Sequence, residues 1–390
     1  MATRLSTSAN PRALSPRIER FLADAAPATP CLVIDLDVVE ERYRALNAAL
    51  PAASVHYAVK ANPSPGVLAR LAGLGSRFDV ASPVEIDLCL AAGVDPRWIS
   101  YGNTIKKRRD IAYAHAAGVR LFVVDSGEEL GKVAAAAPGA AVLVRVLVSG
   151  EGADWPLSRK FGCAPDMAVD LLVEAGTLGL EPAGVSFHVG SQQKEPDRWE
   201  PAIAQAATVL RQAASGGVPV STINIGGGFP ANYASDVPGI AVYGRAIRNA
   251  LELHLADLPV QVLCEPGRYI AGDAGVLRAE VVLVARKAYG DDHRWVYLDI
   301  GRFGGLAETE GEAIRYQLLT SADGGPVGPV ILAGPTCDSV DVLYERTRYE
   351  LPLTLAEGDT VDILAAGAYT ASYASAGFNG FGPLAIHELT

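Results

Sequence analysis

Val55-His56-Tyr57-Ala58-Val59-Lys60-Ala61-Asn62-Pro63 is an apolar, β-branched run that ends on a single lysine. Residues 56–59 read as a short buried strand, and Asn62-Pro63 stops it. In an α/β chain the loops gather at strand ends to build a site, so a lysine there is displayed to chemistry. Packing is a poor use for it, because an unpaired ammonium is costly to bury. A partly desolvated lysine gives up its proton more easily and can form a Schiff base. A solvated strand cap is the plainer alternative for Lys60, and the rest of the chain has to decide between them.

The same beat of strand and helix runs outward from this stretch. Strands are expected at 77–80, 98–101, 121–124, 141–147, 184–188, 222–225 and 260–263. Helices are expected at 65–74, 83–92, 106–117, 127–137, 164–178, 199–214 and 243–253. Short apolar strands separated by helices imply a parallel sheet with right-handed crossovers. Eight such units predict a closed (β/α)8 TIM-like barrel over residues 38–270. No G-x-G-x-x-G turn follows the first strand, which disfavours a dinucleotide site. After residue 270 the helical beat stops. Strand-like runs at 276–286, 294–300, 330–332 and 360–364 predict a mostly antiparallel β domain over 271–390, joined by residues 29–37.

The chain has 390 residues and a net charge of −11. That charge argues against a nucleic-acid or anionic-membrane binder and suits a cationic small substrate. Met1 to Pro16, Ser/Ala/Pro-rich, reads as a flexible leader with no signal peptide, and the N-terminal leader segment is taken to residue 28. Five cysteines without C-x-x-C spacing point away from a disulfide framework or a metal site and towards the cytoplasm.

Polar groups stand at the end of successive barrel strands. They are Lys60, Asp79 with Glu85 behind it, Asn103, Asp125, Arg145, His188 with Ser191, Gly226-Gly227-Gly228, and Glu265-Pro266-Gly267-Arg268. His188 is either a satisfied core histidine or a flat ring for stacking. The three glycines are either a turn or a phosphate cradle of backbone N–H groups, with Gly267, Arg268 and Ser191 completing an anion site. Glu265 opens a helix or pairs with a protonated ring nitrogen. Together they are the parts needed to hold pyridoxal 5'-phosphate. In the β domain, Cys337 beside Asp338 is either a structural thiol or a proton donor. Tyr369 is either core or a phosphate contact.

In the order Tyr57-Ala-Val-Lys-Ala-Asn-Pro63, His188-Val-Gly-Ser191, Gly226-Gly-Gly-Phe-Pro230, Glu265-Pro-Gly-Arg268, Gly334-Pro-Thr-Cys-Asp338, Gly367-Ala-Tyr-Thr370 and Phe378-Asn-Gly-Phe381, the motifs resemble those of the alanine-racemase-fold (fold type III) pyridoxal-phosphate decarboxylases of ornithine, lysine, diaminopimelate and arginine. The resemblance implies a barrel plus a β domain, and a homodimer with shared active sites. It implies that Lys60 carries the cofactor, His188 stacks on its ring, and Glu265 pairs with its nitrogen. Ser191, Gly226, Gly227, Gly228, Gly267, Arg268 and Tyr369 would hold the phosphate. Asp79 and Arg145 would support the ring-oxygen side, with Glu85 near the lysine. Cys337 and Asp338 would come from the other subunit, Cys337 as the proton donor.

The Cys337-Asp-Ser-Val-Asp341 loop resembles the ornithine form more than the Cys-Glu-Ser-Gly form of the diaminopimelate enzymes. The large inserts of the arginine enzymes are absent. On the substrate side Asp338, Phe378 and Glu308 are expected; the segment 301–310 departs from the animal ornithine enzymes, which leaves the acid that reads the distal amine open, and Glu308 is taken for it. The implied reaction is decarboxylation of a basic L-amino acid, L-ornithine to putrescine, with L-lysine or another diamino acid second. A catalytically inactive regulator and a racemase are the other classes. Lys60 and Cys337 speak against the first. Asn62-Pro63 and Cys337-Asp338 speak against the second.

Overall fold

The computed structural model describes residues 13–155 and 160–390. The chain folds as two compact units, one of residues 40–230 and 237–270, the other of 1–39, 231–236 and 271–390.

The first unit is a closed barrel of eight parallel strands: Ala53–Ala58, Arg77–Val80, Ile99–Tyr101, Leu121–Val124, Ala141–Arg145, Glu181–Ser186, Thr222–Asn224 and Gln261–Cys264. Ladders join each to the next, and Val262 pairs with Ala53 to close the ring. Proline stands in the first turn of the helices Pro65–Gly73, Pro83–Ala91 and Pro165–Thr177, where its missing N–H costs nothing. Ser82 and Ser126 cap the helices Pro83–Ala91 and Gly127–Ala136 by accepting from the N–H of Glu85 and Glu129. These local choices agree with the strand periods, so the barrel follows closely from the sequence pattern. An added two-stranded antiparallel sheet of Ala153–Trp155 and Ser191–Gln193 has no counterpart in the expected elements. Its strands are three residues each, too short for period-2 alternation to register.

The second unit is an eight-stranded mixed sheet. Its long strand Gly275–Ala285 pairs with Cys31–Asp35, Thr360–Ile363 and Arg294–Leu298, all antiparallel. Two pairings are parallel, Cys31–Asp35 with Ala385–Leu389 and Arg294–Leu298 with Val327–Ala333. The strand Val342–Pro352 was not expected, because Glu345, Arg346, Arg348 and Glu350 hide its alternation.

The stretch read as a flexible leader is corrected in part. Pro16–Ala25 form a helix capped by Ser15, which accepts from the Ile18 N–H at 3.2 Å. Ile18 and Leu22 bury against Cys31, Val33, Val276 and Leu364. Ile18, Phe21 and Leu22 form a short apolar stripe at i, i+3 and i+4, and ten residues suffice when a sheet face waits for it. The remainder of the expected leader up to residue 12 lies outside the described residues.

Candidate active site

Lys60 sits just past the strand that carries it. Val59 leaves the ladder to start a one-turn 3₁₀ helix, Val59–Ala61, so the expected strand ends one residue early. The Tyr57 hydroxyl, buried, donates to the Asn62 carbonyl at 3.0 Å and fixes this turn. Lys60 Nζ, on a half-exposed side chain, lies 3.4 Å from Oδ2 of the buried Asp79. Burial pushes the Asp79 carboxyl up, and Lys60, the Ser100 hydroxyl and Arg145 pull it back. Glu85 lies in the same field. Its carboxylate accepts from the Ala81 N–H at 2.6 Å, and burial raises its pKa against the pull of that bond and of Lys60.

Glu265 stands beyond the strand Gln261–Cys264. Asn224 Nδ2 donates to its Oε1 at 2.5 Å, and Asn224 Oδ1 accepts from the Gly226 N–H at 2.9 Å. One asparagine therefore aims the carboxylate and the glycine loop together. Burial raises Glu265 to about 7, with Asp79 adding to the rise and Lys60, Asn224 and Arg145 opposing it. Such a carboxylate gains from a further positive partner. His188 is held neutral. Burial lowers it to about 3, helped by Arg145, Lys60 and Arg268. Its Nδ1 accepts from the Gly190 N–H at 2.9 Å, so the proton is on Nε2. Burial also lowers Arg145, against Glu265, Asp125 and Asp79.

The glycine loop packs closer than any side chain allows. A Cβ on Gly226 would lie 2.1 Å from the Phe187 carbonyl, on Gly227 2.5 Å from that of Glu265, and on Gly228 2.5 Å from that of Gly190. Gly226 and Gly228 also have positive φ, 67° and 103°. Within the described residues neither Gly227 nor Gly228 donates its N–H, whereas that of Gly226 goes to Asn224. The buried Arg268 donates through Nε and Nη2 to Ser191 Oγ at 3.2 and 3.0 Å. Two open N–H groups, a hydroxyl and a guanidinium make an anion-binding donor set. With an amine at Lys60 and a proton-seeking Glu265, the residues present fit pyridoxal phosphate.

In the second unit Cys337 is exposed, and its N–H donates to Asn379 Oδ1 at 2.9 Å, which ties its loop to the Phe378–Gly380 turn. Phe378 packs on Phe303 with ring centroids 4.6 Å apart. A cavity of about 240 Å³ lies among Phe303, Phe378, Phe381, Asp299 and Thr336. The buried Asp341 holds the two sides of this region. It accepts from the Arg302 N–H and from the N–H and hydroxyl of Thr336. Gly301 and Gly334 make room for it, since a Cβ on either would come within 2.1 and 2.4 Å of its oxygens. Glu308 is buried in the short turn Ala307–Glu312. The neighbouring acid Glu312 is committed elsewhere, because it accepts from the N–H groups of Glu345, Arg346 and Thr347. Tyr369 has a positive φ of 57°.

Residues 36–272 match the family described as pyridoxal-dependent decarboxylase, pyridoxal binding domain. The chain belongs to the pyridoxal-dependent decarboxylases. It is a carboxy-lyase, and its cofactor is pyridoxal 5'-phosphate. It is 38% identical over 370 residues to the lysine/ornithine decarboxylase of Selenomonas ruminantium, covering 94% of this chain and 91% of the relative. The ornithine decarboxylase of Schizosaccharomyces pombe is 33% identical, over 93% and 84% of the two chains. The solved lysine/ornithine decarboxylase of Vibrio vulnificus complexed with cadaverine superposes with a TM-score of 0.86 at 36% identity, over 97% and 100%.

In this decarboxylase the sequence-expected Asp79, Arg145, His188, Ser191, Gly226, Gly227, Gly228, Glu265, Gly267 and Arg268 all lie with Lys60 in the barrel unit. Cys337, Asp338, Glu308, Phe378 and Tyr369 lie in the other unit. Sequence reasoning missed Asn224, Ser100 and Asp341 as organisers. Asn224 had one signal, an amide inside the apolar strand Thr222–Asn224. A buried amide demands partners.

Proposed function

We propose that this decarboxylase removes the α-carboxyl group of a basic L-amino acid, L-ornithine foremost, to give putrescine and carbon dioxide. The reading is carried by its likeness, over nearly the full length of both chains, to enzymes named for lysine and ornithine. Acids in the β domain suit a distal ammonium.

In this reading residues 38–270 form the cofactor-binding domain. Lys60 carries the cofactor through Nζ. Glu265 holds its ring nitrogen protonated, which a carboxyl near 7 does best once a cation stands beside it. His188 covers the ring as a neutral flat surface and leaves the ring's charge to Glu265. Gly226, Gly227, Gly228, Gly267, Ser191 and Arg268, with Tyr369, hold the phosphate. Bound pyridoxal phosphate supplies the electron sink for the pair left on the α-carbon when carbon dioxide departs. Asp79 and Arg145 balance charge on the ring-oxygen side. Cys337 returns a proton to the α-carbon from its Sγ. Asp338 and Glu308 take the distal ammonium, and Phe378 walls the methylene chain. The protein acts as a homodimer in which Cys337 and Asp338 complete the site of the other subunit. Its five free cysteines fit a reducing cytoplasm.

L-Lysine is the second reading, favoured by the cadaverine complex of the Vibrio vulnificus relative. Release of carbon dioxide from ornithine, lysine, arginine and diaminopimelate by purified, cofactor-loaded protein tests both. The highest kcat/KM is expected on ornithine, with lysine next. A preference for diaminopimelate, or no release from any of the four, overturns the assignment.

A further inference from the structure

Beneath Lys60 the barrel interior holds two polar side chains, His56 and Ser100, that the reaction above does not use. His56 is 3% exposed and sits on Ala53–Ala58, where it pairs with Arg77 while Ala58 pairs with Asp79. Ser100 is 1% exposed and pairs with Asp79 across the next ladder. Pleat alternation therefore turns His56, Asp79 and Ser100 to the same side of the sheet. Ser100 Oγ lies 3.4 Å from His56 Nδ1, 3.3 Å from Asp79 Oδ1 and 3.4 Å from the Phe78 carbonyl. Asp79 Oδ2 lies 3.4 Å from Lys60 Nζ. Gly102 makes room for the Asp79 carboxylate, since a Cβ there would stand 2.0 Å from Oδ1.

Counting hydrogens gives the line a direction. Ser100 has one proton to give. If it goes to Asp79, the hydroxyl oxygen is left to accept, and His56 must supply Nδ1–H. His56 Nε2 has no hydrogen-bond partner among the described residues. In this tautomer it is a bare lone pair. The other tautomer would bury an unpaired N–H, the rarer defect in folded proteins. His56 has only one proton to place, because burial, with Arg77 adding to it, lowers its pKa to about 3. The consistent arrangement is His56 Nδ1–H to Ser100 Oγ–H to the Asp79 carboxylate, which faces the Lys60 ammonium.

We propose that His56 and Ser100 are positioning residues that feed a hydrogen bond into Asp79, keep its carboxylate ionised inside the barrel, and through it hold the charge on Lys60. The consequence for the cofactor rests on the reading of Lys60 given above; the effect on the lysine's own titration does not. Other charged groups face the same centre. They are Arg145 from Ala141–Arg145, Glu265 beyond Gln261–Cys264, Glu85 from Pro83–Ala91, and His188 and Arg268 at neighbouring strand ends. The pair acts where burial would otherwise drive a proton onto Asp79 and take that carboxylate's charge from Lys60.

The test uses cofactor-free full-length protein. Labelling of Lys60 by trinitrobenzenesulfonate is followed from about pH 6 to 11 by peptide mass spectrometry, in wild type and in Ser100→Ala, His56→Phe and Ser100→Thr. Asp79→Asn marks complete loss of the anion. Ser100→Ala and His56→Phe are expected to lower the apparent pKa of Lys60 by about half to one unit, which raises labelling at pH 8 roughly three- to tenfold. Ser100→Thr, which keeps the hydroxyl, is expected to titrate as wild type. Circular dichroism checks the fold, and if one variant fails to fold, the other carries the comparison. Unchanged titration in a folded Ser100→Ala or His56→Phe protein overturns the relay. Borohydride reduction of the cofactor-loaded enzyme locates the cofactor lysine separately. Trapping elsewhere overturns the role of Lys60 in the reaction and leaves the labelling result standing.

Discussion

Burial holds the Glu265 carboxyl well above the usual range, and its behaviour without cofactor reports what it is for. Its pKa near 7 arises first from burial and then from Asp79 nearby. The folded protein therefore binds this proton more tightly than the unfolded chain does. That contribution to stability is fully present below about pH 4.5 and is lost as pH rises through about 7. Glu265→Gln is neutral at every pH. The cofactor-free variant is expected to be more stable than wild type at pH 8, on the order of 2 kcal/mol, and to lose the slope between pH 5 and 7. With cofactor present it is expected to lose roughly 10- to 100-fold in kcat/KM, the equivalent of one charge-assisted hydrogen bond. Urea melts across pH and steady-state kinetics check the two halves. Equal stability of the two proteins at pH 8 would contradict the origin given for the shift. At this scale the sequence announced Glu265 as a motif residue, but not Asn224, which aims it. A partner about forty positions away in sequence becomes visible only when the ladder of Thr222 with Gln261 sets the register.

Elements were legible where their period was long and uninterrupted. The barrel strands and helices fall within a few residues of the expected ranges, because tertiary packing and local preference agree there. The β domain was harder to read, because its strands are held by single side chains as much as by pattern. Glu312 is the clearest case. Its backbone has a positive φ of 59°, and its carboxylate accepts from three successive N–H groups of the strand Val342–Pro352. The ladder of that strand with Val327–Ala333 shifts register between Val330 and Leu332. Burial alone would raise the Glu312 pKa, but the Thr347 side chain and these backbone bonds bring it below the usual value. Its contribution is thus present above about pH 4.5 and lost as pH falls through the lowered pKa. Glu312→Gln keeps one acceptor and is expected to cost about 2–4 kcal/mol at pH 7, with the deficit shrinking below pH 4. Denaturant melts of both proteins at pH 7 and pH 3.5 measure it. The lesson extends to substrate choice. Of the acids in the turn Ala307–Glu312, Glu312 is already spent on the fold and is not the one that reads a distal amine.

At the scale of the whole molecule, the residues proposed for chemistry fall into two sets that the chain keeps in separate units. Lys60 and the anion-binding groups are in the barrel unit, while Cys337 and Asp338 are in the β unit. A thiol that must return a proton to the α-carbon is useful only beside a barrel, and the proposal gives that barrel to the other subunit. In a two-fold dimer such an arrangement is self-completing, since each chain offers the same two half-sites. The arrangement makes a quantitative prediction. Lys60→Ala removes the barrel half of a site and Cys337→Ala the thiol half, so each homodimer alone is expected to have only residual activity. When the two variants are mixed and subunits exchange at random, half of the dimers pair one of each. Every mixed dimer then holds one site with both defects and one with neither. Activity is expected to recover to about a quarter of the wild-type value, with subunit exchange as the only requirement. If both halves came from the same chain, mixing would restore nothing, because each site would still contain one lesion. Measuring carbon dioxide release against mixing time, with a tag on one variant to quantify mixed dimers, separates the two outcomes. Recovery that tracks the mixed fraction supports the shared site, and its absence in a fully exchanged sample rejects it.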